Sequence, residues 1–162
     1  EQEGTYPLPE AQLDRFMFML WLDYPSFEEE VQILKTTTTD QTIEVEKILE
    51  IQDILDIQTL IKQVPVSDNV YNYVVGLVAK TRRNGSQIAN KYLQWGAGPR
   101  ASQYLIMGAK AHAVLNGKYS PDIEDVNAIA VATLRHRIVL NYEAQANGYT
   151  TETIIKELIN IK

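Results

Sequence analysis

Two arginines are the residues of this chain best placed for chemistry. Arg100 directly follows Gly98-Pro99, where a helix is expected to start. A cation in a first helical turn opposes the macrodipole, at a typical cost of ~0.3–1 kcal/mol. An anion bound there would reverse that balance, because free N–H groups and a guanidinium together make a phosphate site. The alternative is a guanidinium that points into solvent, away from the helix end. Arg15 follows Ala11-Gln12-Leu13-Asp14, at the end of a short helix and before a run of apolar residues. It reads either as a C-terminal charge paired with Asp14 or as a charge presented toward a neighbouring subunit. Spacing does not choose between the two.

Other chemistries find less support. The chain has no cysteine, so disulfides, thiolate zinc sites and cysteine nucleophiles are excluded. His112 and His136 lie too far apart in sequence for a local metal motif, and no metal site is expected. His112 falls inside a helix and His136 between two arginines, so packing or surface roles suit both. Glu28-Glu29-Glu30 and Glu124-Asp125 read as first-turn acids. The sequence contains no G-x-x-x-x-G-K-[ST], no G-x-S-x-G and no H-E-x-x-H.

These residues must be positioned by a mainly helical fold. The 162 residues are 45% hydrophobic, enough for a sizeable core. Fifteen basic residues against twenty-one acidic ones leave a net charge of −6, which disfavours nucleic acid or an anionic membrane as partner. No apolar run approaches the ~20 residues of a membrane span. The chain opens with Glu1 and shows no signal-peptide pattern, so a processed or excised chain in the cytoplasm is expected.

Phe16 to Leu22 reads F-M-F-M-L-W-L, a continuous apolar stretch. Such a run predicts a strand buried on both faces, as in a parallel sheet covered by helices. Its sheet partners are not evident downstream. Only Arg137 to Tyr142 could supply another strand, and that stretch also reads as a helix end. The orphan strand therefore predicts a sheet upstream of Glu1.

Helix signals follow Pro25. Ser26 and Glu29 form a predicted capping box, and the helix fades in the loop Thr36 to Thr39. A second helix is expected over Val45 to Val64. A third, capped by Ser67, is expected over Asp68 to Arg83 and stopped by Asn84-Gly85. After a loop from Gln94 to Gly98, Pro99 opens a helix to about Leu115. Ser120-Pro121-Asp122 opens another, with Ile123, Val126, Ile129, Ala130 and Leu134 as its apolar stripe. Thr150 or Thr151 caps the last.

A family resemblance rests on three segments. Glu3-Gly4-Thr5-Tyr6-Pro7-Leu8-Pro9-Glu10-Ala11-Gln12-Leu13-Asp14-Arg15-Phe16 resembles the stretch after the sensor-1 strand of MoxR-type AAA+ ATPases. Gly96-Ala97-Gly98-Pro99-Arg100-Ala101-Ser102 resembles their sensor-2 motif. Ser120 to Val126, followed by Leu134-Arg135-His136-Arg137-Ile138, resembles their lid signature. The resemblance implies that residues 1–23 end a nucleotide-binding core and residues 24–162 form an all-helical lid, joined at Tyr24-Pro25. It implies that Arg15 is an arginine finger acting on ATP held by the adjacent subunit. Arg100 would be the sensor-2 phosphate contact, with Gly98 and Pro99 setting up its helix start. ATP and Mg2+ would serve a longer parent that assembles into a ring, expected to be a hexamer. This chain alone lacks the phosphate-binding loop and the Walker B acids and is expected to bind and hydrolyse no ATP. A chaperone-like role follows from the resemblance, with a client or a von Willebrand factor A-type protein as partner. The rival expectations are a free-standing helical interaction module and, more weakly, a helical DNA-binding domain.

Overall fold

Side-chain caps decide where several of the helices begin. The computed structural model describes residues 6–40 and 45–161. After the short α1 (Glu10–Leu13), Ser26 and Glu29 form the expected capping box at the start of α2 (Phe27–Thr37). The Glu29 backbone N–H donates to Ser26 Oγ at 3.3 Å, and the Ser26 N–H donates to the Glu29 carboxylate at 2.8 Å. The threonine run, expected as loop, instead carries α2 as far as Thr37. Each hydroxyl from Thr36 to Thr39 donates to the carbonyl four residues earlier, so the threonines bond back onto the helix they extend. Gln41 and Ile43 lie outside the described residues.

The second expected helix is shorter than its apolar stripe predicts. α3 spans Ile51–Gln63, not Val45 to Val64. The Glu50 N–H donates to the Asp53 carboxylate at 2.8 Å, which sets the start there. α4 (Asp68–Lys80) ends near the predicted stop, and Asn84 takes a left-handed φ of 67°. A six-residue α5 (Gln87–Tyr92) follows, which lacks the length for a visible period. β1 (Leu93–Trp95) occupies part of the expected loop. α6 (Pro99–Leu115) begins at Pro99 as expected, with Gly98 at the cap position.

α7 covers Ile123–Leu134. Of the Ser120-Pro121-Asp122 opening, Asp122 is the cap, because its carboxylate accepts the N–H groups of Glu124 and Asp125. β2 (Val139–Leu140) pairs antiparallel with β1, so the strand option for Arg137 to Tyr142 holds over two residues. α8 (Tyr142–Ala146) and α9 (Thr151–Asn160) complete the order, and Thr150 caps α9. The fold is mainly α, as expected.

The core lies between α4, α6, α7 and α9. Val74 and Leu77 of α4, Leu105 of α6, Leu134 of α7, and Ile155 and Leu158 of α9 are buried in one cluster. Small residues let α6 and α7 approach closely: Ala101 and Ala109 are buried, and Gly108 leaves room for Phe18 and Ile129. α1, α2 and α3 bury no residue fully.

The strand expected at Phe16 to Leu22 is corrected. The segment bends at Phe16 and Met17, then runs without regular structure, and pairs with no strand among the described residues; the small sheet is β1 with β2. Its main chain lies across α6 and α7, and one backbone bond, Met19 N–H to the Ala132 carbonyl at 2.9 Å, ties it there. Beyond that bond the apolar side chains face outward: Trp21 is 74% exposed and Leu22 95%.

Candidate functional site

The site begins with a loop held rigidly against α4. Thr81 is buried at the end of that helix. Its Oγ1 donates to the Val78 carbonyl at 2.7 Å and accepts the Ala97 N–H at 2.9 Å. Arg82 Nε donates to the Ala97 carbonyl at 3.0 Å. A Cβ on Gly96 would come within 2.2 Å of the Thr81 carbonyl oxygen, so only glycine permits this approach. The loop therefore delivers Gly98 and Pro99 to a fixed place, and α6 starts there without a side-chain cap. Its first N–H groups stay free of the usual Ser, Thr or Asp partner.

Arg100 stands in that first turn. Its Nη1 lies 2.6 Å from Asp14 Oδ2, and both side chains remain partly open to solvent. The carboxylate offsets the unfavourable position of the cation at a helix start. Asp14 is thereby engaged by Arg100, and of the two readings left open for Arg15 the pair with Asp14 is not formed.

The second oxygen of the same carboxylate belongs to Arg137. Arg137 Nε donates to Asp14 Oδ1 at 3.0 Å, from a side chain only 1% exposed. Nη2 donates to the carbonyls of Asp14, at 2.8 Å, and of Phe16, at 2.5 Å. Nη1 donates to the carbonyls of Met17, at 3.2 Å, and of Thr133. Five N–H groups thus meet five acceptors, which a buried guanidinium requires. The ring of Tyr104 lies 5.0 Å from its central carbon, a cation–π distance. Burial lowers the pKa of Arg137, the Asp14 carboxylate opposes this, and the group stays charged.

Arg15 differs from its neighbours. Its carbonyl accepts the Tyr104 hydroxyl at 2.8 Å. Its side chain is exposed and has no hydrogen bond or ion pair among the described residues. His136 Nε2 lies 3.0 Å from the Phe16 carbonyl, and its buried Nδ1 has no partner. Burial pushes His136 below its usual pKa, Arg137 adds to that, and the Phe16 carbonyl opposes it. His112 is bound to the buried Asp125 carboxylate at 2.7 Å, away from this site.

These parts border an open cleft of about 270 Å³, lined among others by Glu10, Asp14, Trp95, Gly98, His136 and Arg137. The cleft itself is mixed in charge: Glu10 and Asp14 line it as carboxylates, and the Arg137 donors are all engaged, so the cation open to a further anion is Arg100 at the α6 start beside it. Among the described residues no group of three His, Asp or Glu side chains is placed to hold a metal ion. No helix among them is long and apolar enough to cross a membrane. The family resemblance pointed to Arg15, Gly98, Pro99 and Arg100. It did not reveal Asp14, Tyr104 or Arg137 as their partners, since those bonds join residues 86 to 123 positions apart.

Comparison with known proteins decides the family. Residues 85–158 match the AAA lid domain family. Chaperone MoxR1 of Mycobacterium tuberculosis is 35% identical over 162 residues, covering 98% of this chain and 43% of that protein. The chain carries an AAA lid domain of the MoxR type. Uncharacterized protein YeaC of Bacillus subtilis is 38% identical over 161 residues, 99% of this chain and 48% of that one. The crystal structure of a proposed ATPase from Cytophaga hutchinsonii superposes with a TM-score of 0.89 at 39% identity, covering 98% of this chain and 49% of that one. The chain spans about half the length of these relatives and belongs with the AAA+ ATPases. The lid places Arg100 at the start of its longest described helix and Arg137 just beyond α7.

Proposed function

We propose that this chain supplies two phosphate-directed arginines to a ring-forming AAA+ ATPase. Arg15 is the finger that reaches ATP held by the neighbouring subunit, where it stabilises charge on the transferring phosphoryl group. Arg100 contacts phosphate within its own subunit and relates lid position to the nucleotide. Gly98 and Pro99 fix the helix start from which it acts. On this reading residues 1–23 end the nucleotide-binding core and residues 24–162 form the lid. The Mg2+ that accompanies ATP and neutralises phosphate charge is held by residues other than those described here. Lid rotation is then the mechanical output, used to remodel client proteins, as the name of the mycobacterial relative suggests.

One observation carries the reading. Arg15 is exposed and without a side-chain partner among the described residues, while its main chain is fixed on both sides. A free-standing interaction module accounts less well for the exposed Leu20, Trp21 and Leu22, an apolar stretch that suits coverage by further protein.

The test is Arg15→Ala in the full-length protein. Turnover should fall by roughly 10³-fold or more while ATP binding persists. Loss of binding in parallel with turnover would remove the finger assignment.

A further inference from the structure

Four consecutive carbonyls, those of Asp14, Arg15, Phe16 and Met17, each accept a hydrogen bond from a lid side chain. Arg137 takes three of them, Tyr104 takes one, and His136 shares that of Phe16. We propose that Arg137, assisted by Tyr104, is a positioning residue that clamps the Arg15 segment to the lid, so that lid movement in one subunit re-aims the finger offered to the next. This rests on Arg15 acting in trans.

The chemistry favours a clamp over ordinary packing. A guanidinium is a planar fork of five donors, and here the fork spans the main chain on both sides of Arg15. Nε adds the Asp14 carboxylate, and the bond to the Thr133 carbonyl anchors the fork to the last turn of α7. The Arg15 Cα is fixed from the lid without contact to its own side chain, which keeps its reach. The clamp moves with α7, because Arg137 lies three residues beyond the helix end and returns to it. Holding a catalytic group in place is worth much: a displacement of ~1 Å can cost about 100-fold in rate.

Lysine retains the charge but presents three donors from one point, so R137K cannot span the same carbonyls. In the full-length protein R137K should lower kcat by roughly 10- to 100-fold, with nucleotide KM within about twofold of the parent. The same mixing experiment is run on R137K and R15A. Each is combined with subunits inactivated in their own phosphate-binding loop but carrying an intact finger segment. Both variants should regain turnover, because each keeps a sound ATP site that receives a finger from its neighbour. A lesion that is merely structural would not be rescued in trans. Rescue of R15A without rescue of R137K overturns the clamp and leaves the finger standing. Failure to rescue R15A overturns the finger and the clamp with it. Unchanged kcat in R137K overturns the clamp directly. If R137K does not fold, Y104F, which deletes one hydroxyl, carries the same test with an expected several-fold fall in kcat; normal turnover in Y104F would then count against the clamp.

Discussion

Asp14 and Arg100 stand 86 residues apart in sequence and meet at 2.6 Å. The pair is partly exposed, so it contributes little stability by itself. Its interest lies in exclusivity: the Nη1 that holds Asp14 is not free to hold a phosphate. Asp14→Asn weakens this competitor; it keeps an acceptor for Arg137 but removes the negative charge facing that buried guanidinium, so a fall in stability should accompany the change in binding. We expect the full-length variant to bind nucleotide more tightly, by up to about fivefold, the scale of an exposed ion pair. Arg100→Ala should weaken binding and blunt nucleotide-dependent closure of the lid. Equilibrium titration with a fluorescent nucleotide reads both. Weaker binding in Asp14→Asn would show that the pair assists the phosphate contact and does not compete with it.

His136 gives the docking of the Arg15 segment a pH dependence. Its folded pKa is depressed, chiefly by burial, with Arg135 and Arg137 as neighbouring cations and Asp14 opposing them. A depressed histidine binds fewer protons folded than unfolded. Its contribution is therefore complete above the unfolded value, near 6.5, and is lost as pH falls through the lower folded value. Between about pH 7 and pH 5 the melting temperature should drop more in the parent than in His136→Gln, which keeps a donor for the Phe16 carbonyl. Identical slopes for the two proteins would count against this role.

Thr81 joins the end of α4 to the loop that precedes Pro99. Thr81→Val preserves shape and deletes the hydroxyl, leaving the buried Ala97 N–H without an acceptor. The loss should be roughly 1–3 kcal/mol in denaturant unfolding, the usual penalty for an unsatisfied buried group. A loss well below that range would mean that the Arg82 bond to the Ala97 carbonyl holds the loop unaided.

The helices were legible where a local rule governs them. Ser26 with Glu29, Pro99 after Gly98, and the apolar stripe of α7 each depend on residues within a few positions. Short elements were not legible: α5 and α8 are too brief to show a period, and β1 exists only because β2 pairs with it. Phe16 to Leu22 misled for a physical reason. Continuous apolar residues report burial on two faces, yet the faces that would cover Leu20 to Leu22 are not among the described residues. The site was half legible. Arg15 and Arg100 were singled out by position in their helices, whereas Arg137 stood only as part of the lid-like segment Leu134 to Ile138, and its role shows in bonds to main-chain acceptors 120 or more residues away.

Asp125 ties the two central helices together at the end opposite to Arg100. Its carboxylate is 1% exposed, with one oxygen 2.7 Å from His112 Nδ1 and the other accepting from Lys118 Nζ at 3.1 Å and the Asp122 N–H at 2.9 Å. Asp125→Asn removes the charge while keeping the volume, so Lys118 loses one of its two carboxylate partners and His112 meets an amide in place of the carboxylate. The groups left behind are partly exposed, so the loss should be roughly 1–3 kcal/mol, the scale of a buried hydrogen-bond partner removed. Neighbouring Asp122 supplies an acid signature. Lys118, and then the Asp125 N–H, hold its carboxyl down to about 2. A depressed carboxylate contributes stability that is complete above its unfolded value, near 3.9, and fades as pH falls through about 2. Lys118→Met should therefore flatten the fall in stability below about pH 4 and leave the His136 window near neutrality unchanged. Thermal melts of parent and variant across both windows separate the two groups. A variant that altered only the neutral window would transfer the acid response away from Asp122.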